Sequence, residues 1–207
     1  MVTRSEPEYV WDFCGGHVAL DFTNTVGNRG DNPEEHFNAY ADVVSWAETR
    51  GVIGRTEAKR LRQEAARRAG AAAEALASVR ALRESLYRAL AAAASGRTPA
   101  AADLARINTA IGVSCSGAHL RPHGGRLELR FAPDAGTTRL DGPITTPVVR
   151  AAIDLLTTDA IRRVRLCADS TCAWLFTDAT RSGTRRWCDM KVCGNRNKVR
   201  RFRGQPA

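Results

Sequence analysis

The sequence predicts an α+β protein of two unequal parts. A mostly helical body with a few antiparallel strands occupies residues 1–159, and a small cysteine-rich module ending in a basic helix occupies residues 160–207. Three observations carry this prediction. A regular apolar stripe runs from Ala71 to Ala94, two alternating segments flank a Gly124-Gly125 turn, and four of the six cysteines fall after residue 160. The charge divides at the same place. Residues 1–159 hold 19 basic and 19 acidic side chains, whereas residues 160–207 hold 12 basic and 3 acidic ones and so carry the whole net charge of +9. A neutral body with a cationic end points to a polyanion as the partner of that end.

In chain order, Val18 to Thr23 follows the Gly15-Gly16 turn and alternates, which reads as a strand. Asn28 to Pro33 is loop material. Tyr40, Val43, Val44 and Trp46 recur at helical spacing in a segment that stops at Gly51, and Trp46 is expected in the core. A second helix opens at Thr56-Glu57. The longest helix, Ala71 to Ala94, carries Leu76, Val79, Leu82, Leu86 and Leu90 on one face and is expected to pair Glu84 with Arg88. Gly96 closes it and Thr98-Pro99 starts the next, through about Ile111. Ala118 to Arg121 and Arg126 to Phe131 then read as a β-hairpin, and a helix beginning at Pro143 or Thr145 completes the body.

The remaining cysteines are spaced Cys167-x4-Cys172 and Cys188-x4-Cys193, with fifteen residues between the pairs. Two short pairs joined by a hairpin-sized spacer suit a tetrahedral all-thiolate site for one structural Zn²⁺, in a treble-clef or zinc-ribbon-like module. Strands are expected at Arg163 to Leu166, Ala173 to Thr177 and Arg185 to Trp187. Asp189 is expected to cap the final helix, with Cys193 in its first turn. So few large apolar groups cannot fold such a segment without metal, for which zinc binding supplies roughly 10–16 kcal/mol. On this division, losing a ligand such as Cys188 unfolds the module and leaves the body folded. Cys14 and Cys115 are expected to be buried, inert thiols.

The stretch Trp187-Cys-x4-Cys193-Gly-Asn-Arg196-x-Lys198 resembles the CGNR zinc finger, named for Cys193 to Arg196. Gly15-Gly16-His-Val-Ala-Leu20-Asp21-Phe22-Thr-Asn24-Thr25, followed by Tyr40-Ala-Asp42 and Trp46, resembles the ABATE domain that precedes this finger in many bacterial proteins. Together the two blocks cover nearly the whole chain. The resemblance implies a transcription regulator, often stress-linked.

The final helix makes double-stranded DNA the expected partner. Arg196, Arg200 and Arg203 follow one face, Lys198 and Arg201 broaden it, and Asn195 is placed to read adenine. Arg196 has two readings, a DNA contact or a brace inside the module. Val192, Val199 and Phe202 are expected to pack inward on Trp174, Leu175 or Phe176. Asp21, Asn24, Thr25 and Arg29 either line a pocket for a small-molecule effector or satisfy their own backbone in a turn. The body would then sense an effector or form a homodimer, and is not expected to bind nucleic acid alone.

No run of eighteen apolar residues suits a membrane span, and the start lacks a signal pattern, so a cytoplasmic protein is expected. No phosphate loop, H-E-x-x-H or G-x-S-x-G is present, and Pro122 and Gly124 deny His119 and His123 a shared helix face. An enzyme is not expected. Two other readings stand beside the regulator: an adaptor whose finger docks on an acidic protein, and an RNA-binding module.

Overall fold

The computed structural model describes residues 9–116, 118–131 and 139–204. Among these residues helices dominate, and three short antiparallel strand pairs accompany them. The body is built around α1 (Val18–Thr23), which packs against the long α4 (Ala69–Ala94), against α6 (Gly142–Thr157) and against a strand of the C-terminal module.

The strand expected at Val18 to Thr23 is in fact this helix. His17 caps it, its Nδ1 accepting from the Ala19 amide at 3.3 Å, while Asp21 Oδ1 accepts from the Gly15 amide at 2.9 Å. Ala19, Leu20 and Phe22 are all fully buried. A short run enclosed on every side loses the polar face that would set helical periodicity apart from alternation.

The pair β1 (Val26–Gly27) and β2 (Glu34–Glu35) closes the following loop, and α2 (Tyr40–Thr49) and α3 (Arg55–Arg67) pack beyond it. Asp42 accepts from the Ala39 amide at 2.7 Å to fix the start of α2, and Gly51 at φ +77° ends the segment. Trp46 is fully buried, with its ring centroid 5.4 Å from Phe22 and 6.1 Å from Phe37. The apolar stripe of α4 enters the same core through Val79, Leu82, Leu86 and Leu90.

Glu84 does not pair with Arg88 along the helix. Arg88 reaches across to Asp103 of α5 (Ala101–Cys115) at 2.6 Å, and Glu84 takes both Arg29 and Arg83 at 2.8 Å. Tertiary partners outcompete the local pair because each carboxylate takes several charge-assisted bonds, from Arg29 and Arg83 on Glu84 and a bidentate one from Arg88 on Asp103. From α5 the chain runs into the hairpin β3 (Ala118–His123) and β4 (Arg126–Phe131), as expected, and returns to α6.

A candidate metal centre and its basic helix

The C-terminal module starts with β5 (Val164–Leu166), which pairs antiparallel with β6 (Leu175–Thr177) in the register Leu166 to Leu175. The knuckle between them turns Cys167 and Cys172 to one side, with the Cys167 amide donating to the Trp174 carbonyl at 2.8 Å. The segment expected as a third strand, Arg185 to Trp187, is extended but joins the knuckle mainly through the Ala168 amide and the Arg186 carbonyl, 2.8 Å apart. The Arg185 side chain lies 4.6 Å over the Phe176 ring and donates to the carbonyls of Trp187 and Cys188, which steers the chain into the second cysteine pair.

Asp189 then caps the last helical segment, its carboxylate accepting from the amides of Lys191 and Val192. The first turn, Met190–Gly194, is wider than an α-helix and delivers Cys193, and α7 (Asn195–Phe202) continues from it. At Gly194 the flexible Met190 side chain lies over the bare backbone, its Sδ 2.5 Å from where a Cβ would stand.

Cys167, Cys172, Cys188 and Cys193 are all buried, and their sulfurs lie within 4.8 Å of one another. Cys188 Sγ is 3.6 Å from both Cys172 Sγ and Cys193 Sγ. A tetrahedral ion with Zn–S bonds of about 2.3 Å holds its sulfurs about 3.8 Å apart, so the cluster fits one structural zinc ion. The Cys188 amide also points at Cys167 Sγ at 3.5 Å, the kind of donor that steadies a metal-bound thiolate. Four thiolates close the coordination sphere and leave no position for a reacting water.

Asp169, which the sequence reading passed over, is the polar centre of the module. It is almost wholly buried, and it accepts from the Thr171 amide and hydroxyl at 3.0 and 2.8 Å, from Asn197 Nδ2 at 2.9 Å and from Arg200 Nη1 at 3.3 Å. Arg196 stands beside it at 3.7 Å and donates to Thr171 Oγ1 at 2.8 Å. Asp178 serves the next turn in the same way, accepting from the Thr180 amide and hydroxyl and from the Arg185 amide. The signal was an Asp-x-Thr repeated at Asp169-Ser-Thr171 and Asp178-Ala-Thr180, a turn-forming pattern.

These contacts set which way α7 faces. Cys193 and Asn197 point inward, and Arg196 and Arg200 lie against the knuckle. The opposite side is open. Val192, Val199 and Phe202 were expected to pack inward, but they are 50%, 47% and 93% exposed. The helix is anchored by ion pairs and a buried amide, so its apolar residues are left on the outer side. There they share the surface with Lys191, Asn195, Lys198, Arg201 and Arg203. Among the described residues, the side chains of Lys198, Arg201 and Arg203 make no hydrogen bond or ion pair. Asn195 donates back to the Lys191 carbonyl at 2.9 Å.

The body holds the module closely. Asn24 donates to the Leu175 carbonyl at 2.8 Å and accepts from the Leu175 amide at 3.0 Å. Trp174 Nε1 donates to the Val26 carbonyl at 2.7 Å, the Tyr87 hydroxyl to the Ala173 carbonyl at 2.8 Å, and the Gly30 amide to the Thr171 carbonyl at 3.1 Å. Leu175 and Val164 belong to the body's own core. At Gly30 any Cβ would collide with the Ser170 carbonyl, so the close approach of the two backbones requires glycine there.

The polar set Asp21, Asn24, Thr25 and Arg29 is turned to internal partners. Asp21 pairs with Arg50 at 2.7 Å, Thr25 Oγ1 donates to the Phe22 carbonyl and stands 3.3 Å from Arg83, and Arg29 grips Glu84 and the Thr23 carbonyl over the Tyr87 ring. None of the four lines a described cavity. The set thus combines bonds to its own turn with charge and amide partners from the end of α2, from α4 and from β6. Burial pushes the Asp21 carboxyl up despite its bonds to Arg50 and Gly15.

Of the two other thiols, Cys115 is exposed where α5 leaves the body, and Cys14 is half-buried against the metal cluster. Neither occupies the apolar interior that was expected. Among the described residues no helix is long and apolar enough to cross a membrane.

Comparison with protein families agrees with this architecture. Residues 16–159 match the family ABATE, described as "Putative stress-induced transcription regulator", and residues 163–205 match the CGNR zinc finger. Comparison with the curated proteins gives no match.

Proposed function

Because the chain belongs to the ABATE family and carries a CGNR zinc finger, we propose that it is a transcription regulator that grips duplex DNA with the outer face of α7. The observation that carries this reading is the face itself. Lys191, Lys198, Arg201 and Arg203 stand on it with no acidic residue from Met190 to Gly204, which suits a phosphate backbone. Asn195, between two of these cations, is the candidate for base contact, and Val199 and Phe202 are placed for thymine methyls. Cys167, Cys172, Cys188 and Cys193 hold the zinc, which supplies rigidity and no reaction, and the chain acts by binding rather than by catalysis. Arg196 and Arg200 act from behind, holding the helix at its angle.

Residues 1–159 form the sensing or dimerising body and residues 160–207 the DNA-binding finger, acting in the cytoplasm. An effector of the body would reach the finger through Asn24 and Gly30, whose backbone and side-chain contacts span the two parts. The Asp21–Arg29 segment is on this view a route rather than a pocket.

A second reading, docking on an acidic protein, is favoured by one observation: Phe202 is 93% exposed beside free cations, as in an amphipathic contact. Binding of the zinc-loaded chain to duplex DNA and to an acidic protein, each at two salt concentrations, separates the two. Lys198→Ala, Arg201→Ala and Arg203→Ala should each weaken duplex binding for all sequences and lower the log–log salt slope by roughly 0.9. A triple variant that binds duplex like the parent would retire the DNA reading.

A further inference from the structure

Cys14 is half-buried against the four-sulfur cluster, which it meets from the body's side. Its thiol stands within hydrogen-bonding reach of Cys188 Sγ and can donate to that sulfur while the metal is held. The backbone on either side of it is pinned. The Cys14 amide donates to Asp12 Oδ1 at 3.0 Å and the Gly15 amide to Asp21 Oδ1 at 2.9 Å, while the Gly15 carbonyl accepts from the Thr177 amide of β6 at 2.8 Å. A fifth sulfur is thus fixed beside four ligands that already complete a tetrahedral sphere. Coordination has no use for it.

Access to the cluster comes from a second feature. A cavity of about 280 Å³ opens between the body and the finger, and Cys172, Cys188 and Cys193 all line it, together with Asp12, His36 and Trp174. One water takes about 30 Å³ in the liquid, so a molecule little larger than water can enter and reach the sulfurs. Cys188 is the central one of the three, 3.6 Å from both Cys172 Sγ and Cys193 Sγ.

We propose that Cys14 and Cys188 form a peroxide-sensitive thiol pair, in which oxidation withdraws Cys188 from the metal site as a disulfide. The thiolate is the nucleophile. Cys188 Sγ attacks one oxygen of hydrogen peroxide, an S–O bond forms, the O–O bond breaks and hydroxide departs, which leaves a sulfenic acid. Cys14 Sγ then attacks that sulfur. An S–S bond forms, the S–O bond breaks, and the hydroxide leaves as water with the Cys14 proton. The two sulfurs together give up the two electrons that the peroxide gains.

Cys14 suits this role better than a neighbouring ligand does. A disulfide from Cys188 to Cys172 or Cys193 takes two thiolates from the ion at once. A disulfide to Cys14 takes one, leaves three in place, and lets a dithiol reductant return the fourth by exchange. The inference stands whatever α7 binds.

Brief treatment of the full zinc-loaded chain with hydrogen peroxide, followed by thiol blocking and peptide mapping, tests this. The parent should yield a peptide joining residues 14 and 188, release zinc to a chromogenic chelator faster than the untreated chain, and recover on addition of a dithiol. Cys14→Ser keeps a hydroxyl donor for Cys188 and cannot form the bond. It should hold zinc like the parent before treatment and release it several-fold more slowly under peroxide. Cys115→Ser, at the exposed thiol, should behave as the parent does. If Cys14→Ser loses zinc before any oxidant is added, the peptide map of the parent decides alone. A parent without the 14–188 link, a link between two ligands in its place, or a zinc-loaded Cys14→Ser that releases metal under peroxide as fast as the parent would each overturn the pair.

Discussion

Asp169 is a buried carboxylate with two cations, an amide side chain and a threonine converging on it. Removing the carboxylate leaves the Asn197 amide and the Thr171 amide and hydroxyl without their acceptor, at a cost of about 1–3 kcal/mol for each buried group stranded. Asp169→Ala should therefore lower the thermal transition and speed zinc loss to a chelator, and Asp169→Asn should fall between it and the parent. Glu84 gives a different residue-scale expectation. Burial alone would raise its carboxyl, but the bonds from Arg29 and the charges of Arg29 and Arg83 outweigh burial and hold it below its ordinary value. Its contribution is complete above an unfolded glutamate pKa of about 4.3 and fades as the pH falls through the lower folded value. Stability measured against pH should show a shallower acid limb in Glu84→Gln. The sequence showed the four sulfurs because their spacing is itself the signal. It concealed Asp169, because a short Asp-x-Thr turn resembles solvent loop until something is found packed on it.

At the scale of the element, α7 was legible as a basic helix and misread as to its faces. A hydrophobic stripe usually marks the buried side of a helix, and Val192, Val199 and Phe202 are such a stripe. That inference fails where a metal and an ion-pair cluster do the anchoring, because eight residues are held by Cys193 in the preceding turn, by Asn197 inward and by Arg196 and Arg200 on the knuckle. Two outcomes follow for the two faces. Phe202→Ala and Val199→Ala should change stability by no more than about 0.5 kcal/mol yet weaken duplex binding, while Arg200→Ala should lower zinc retention first. Gel-shift titrations beside chelator-release kinetics would show that split; equal effects on both readouts from the two faces would contradict it. The same lesson applies to α1, a helix read as a strand. Its neighbours on all sides, α4, α6 and β6, are distant in sequence and leave no periodic trace.

Across the whole molecule, the sequence reads as two parts, and their interlock is not visible in it. Composition changes near Thr158, and nothing in it shows that Leu175 and Val164 complete the body's core. The body was therefore expected to stand without the finger. With Asn24, Val26, Gly30 and Tyr87 all bonded to the module, loss of metal should be felt in both parts. Cys188→Ser, or chelation, should lower the unfolding temperature of the helical body as well, read by circular dichroism at a helix-sensitive wavelength. A body whose transition stayed at the parent's temperature would show that the two parts fold independently. The pairing of Asn24 with Leu175 joins positions 151 residues apart, which also orders events during synthesis. The N-terminal helices leave the ribosome well before these partners exist, and α1 waits with one side uncovered until β6 has been made. Metal binding at the later-made cysteines then closes the earlier-made part of the protein.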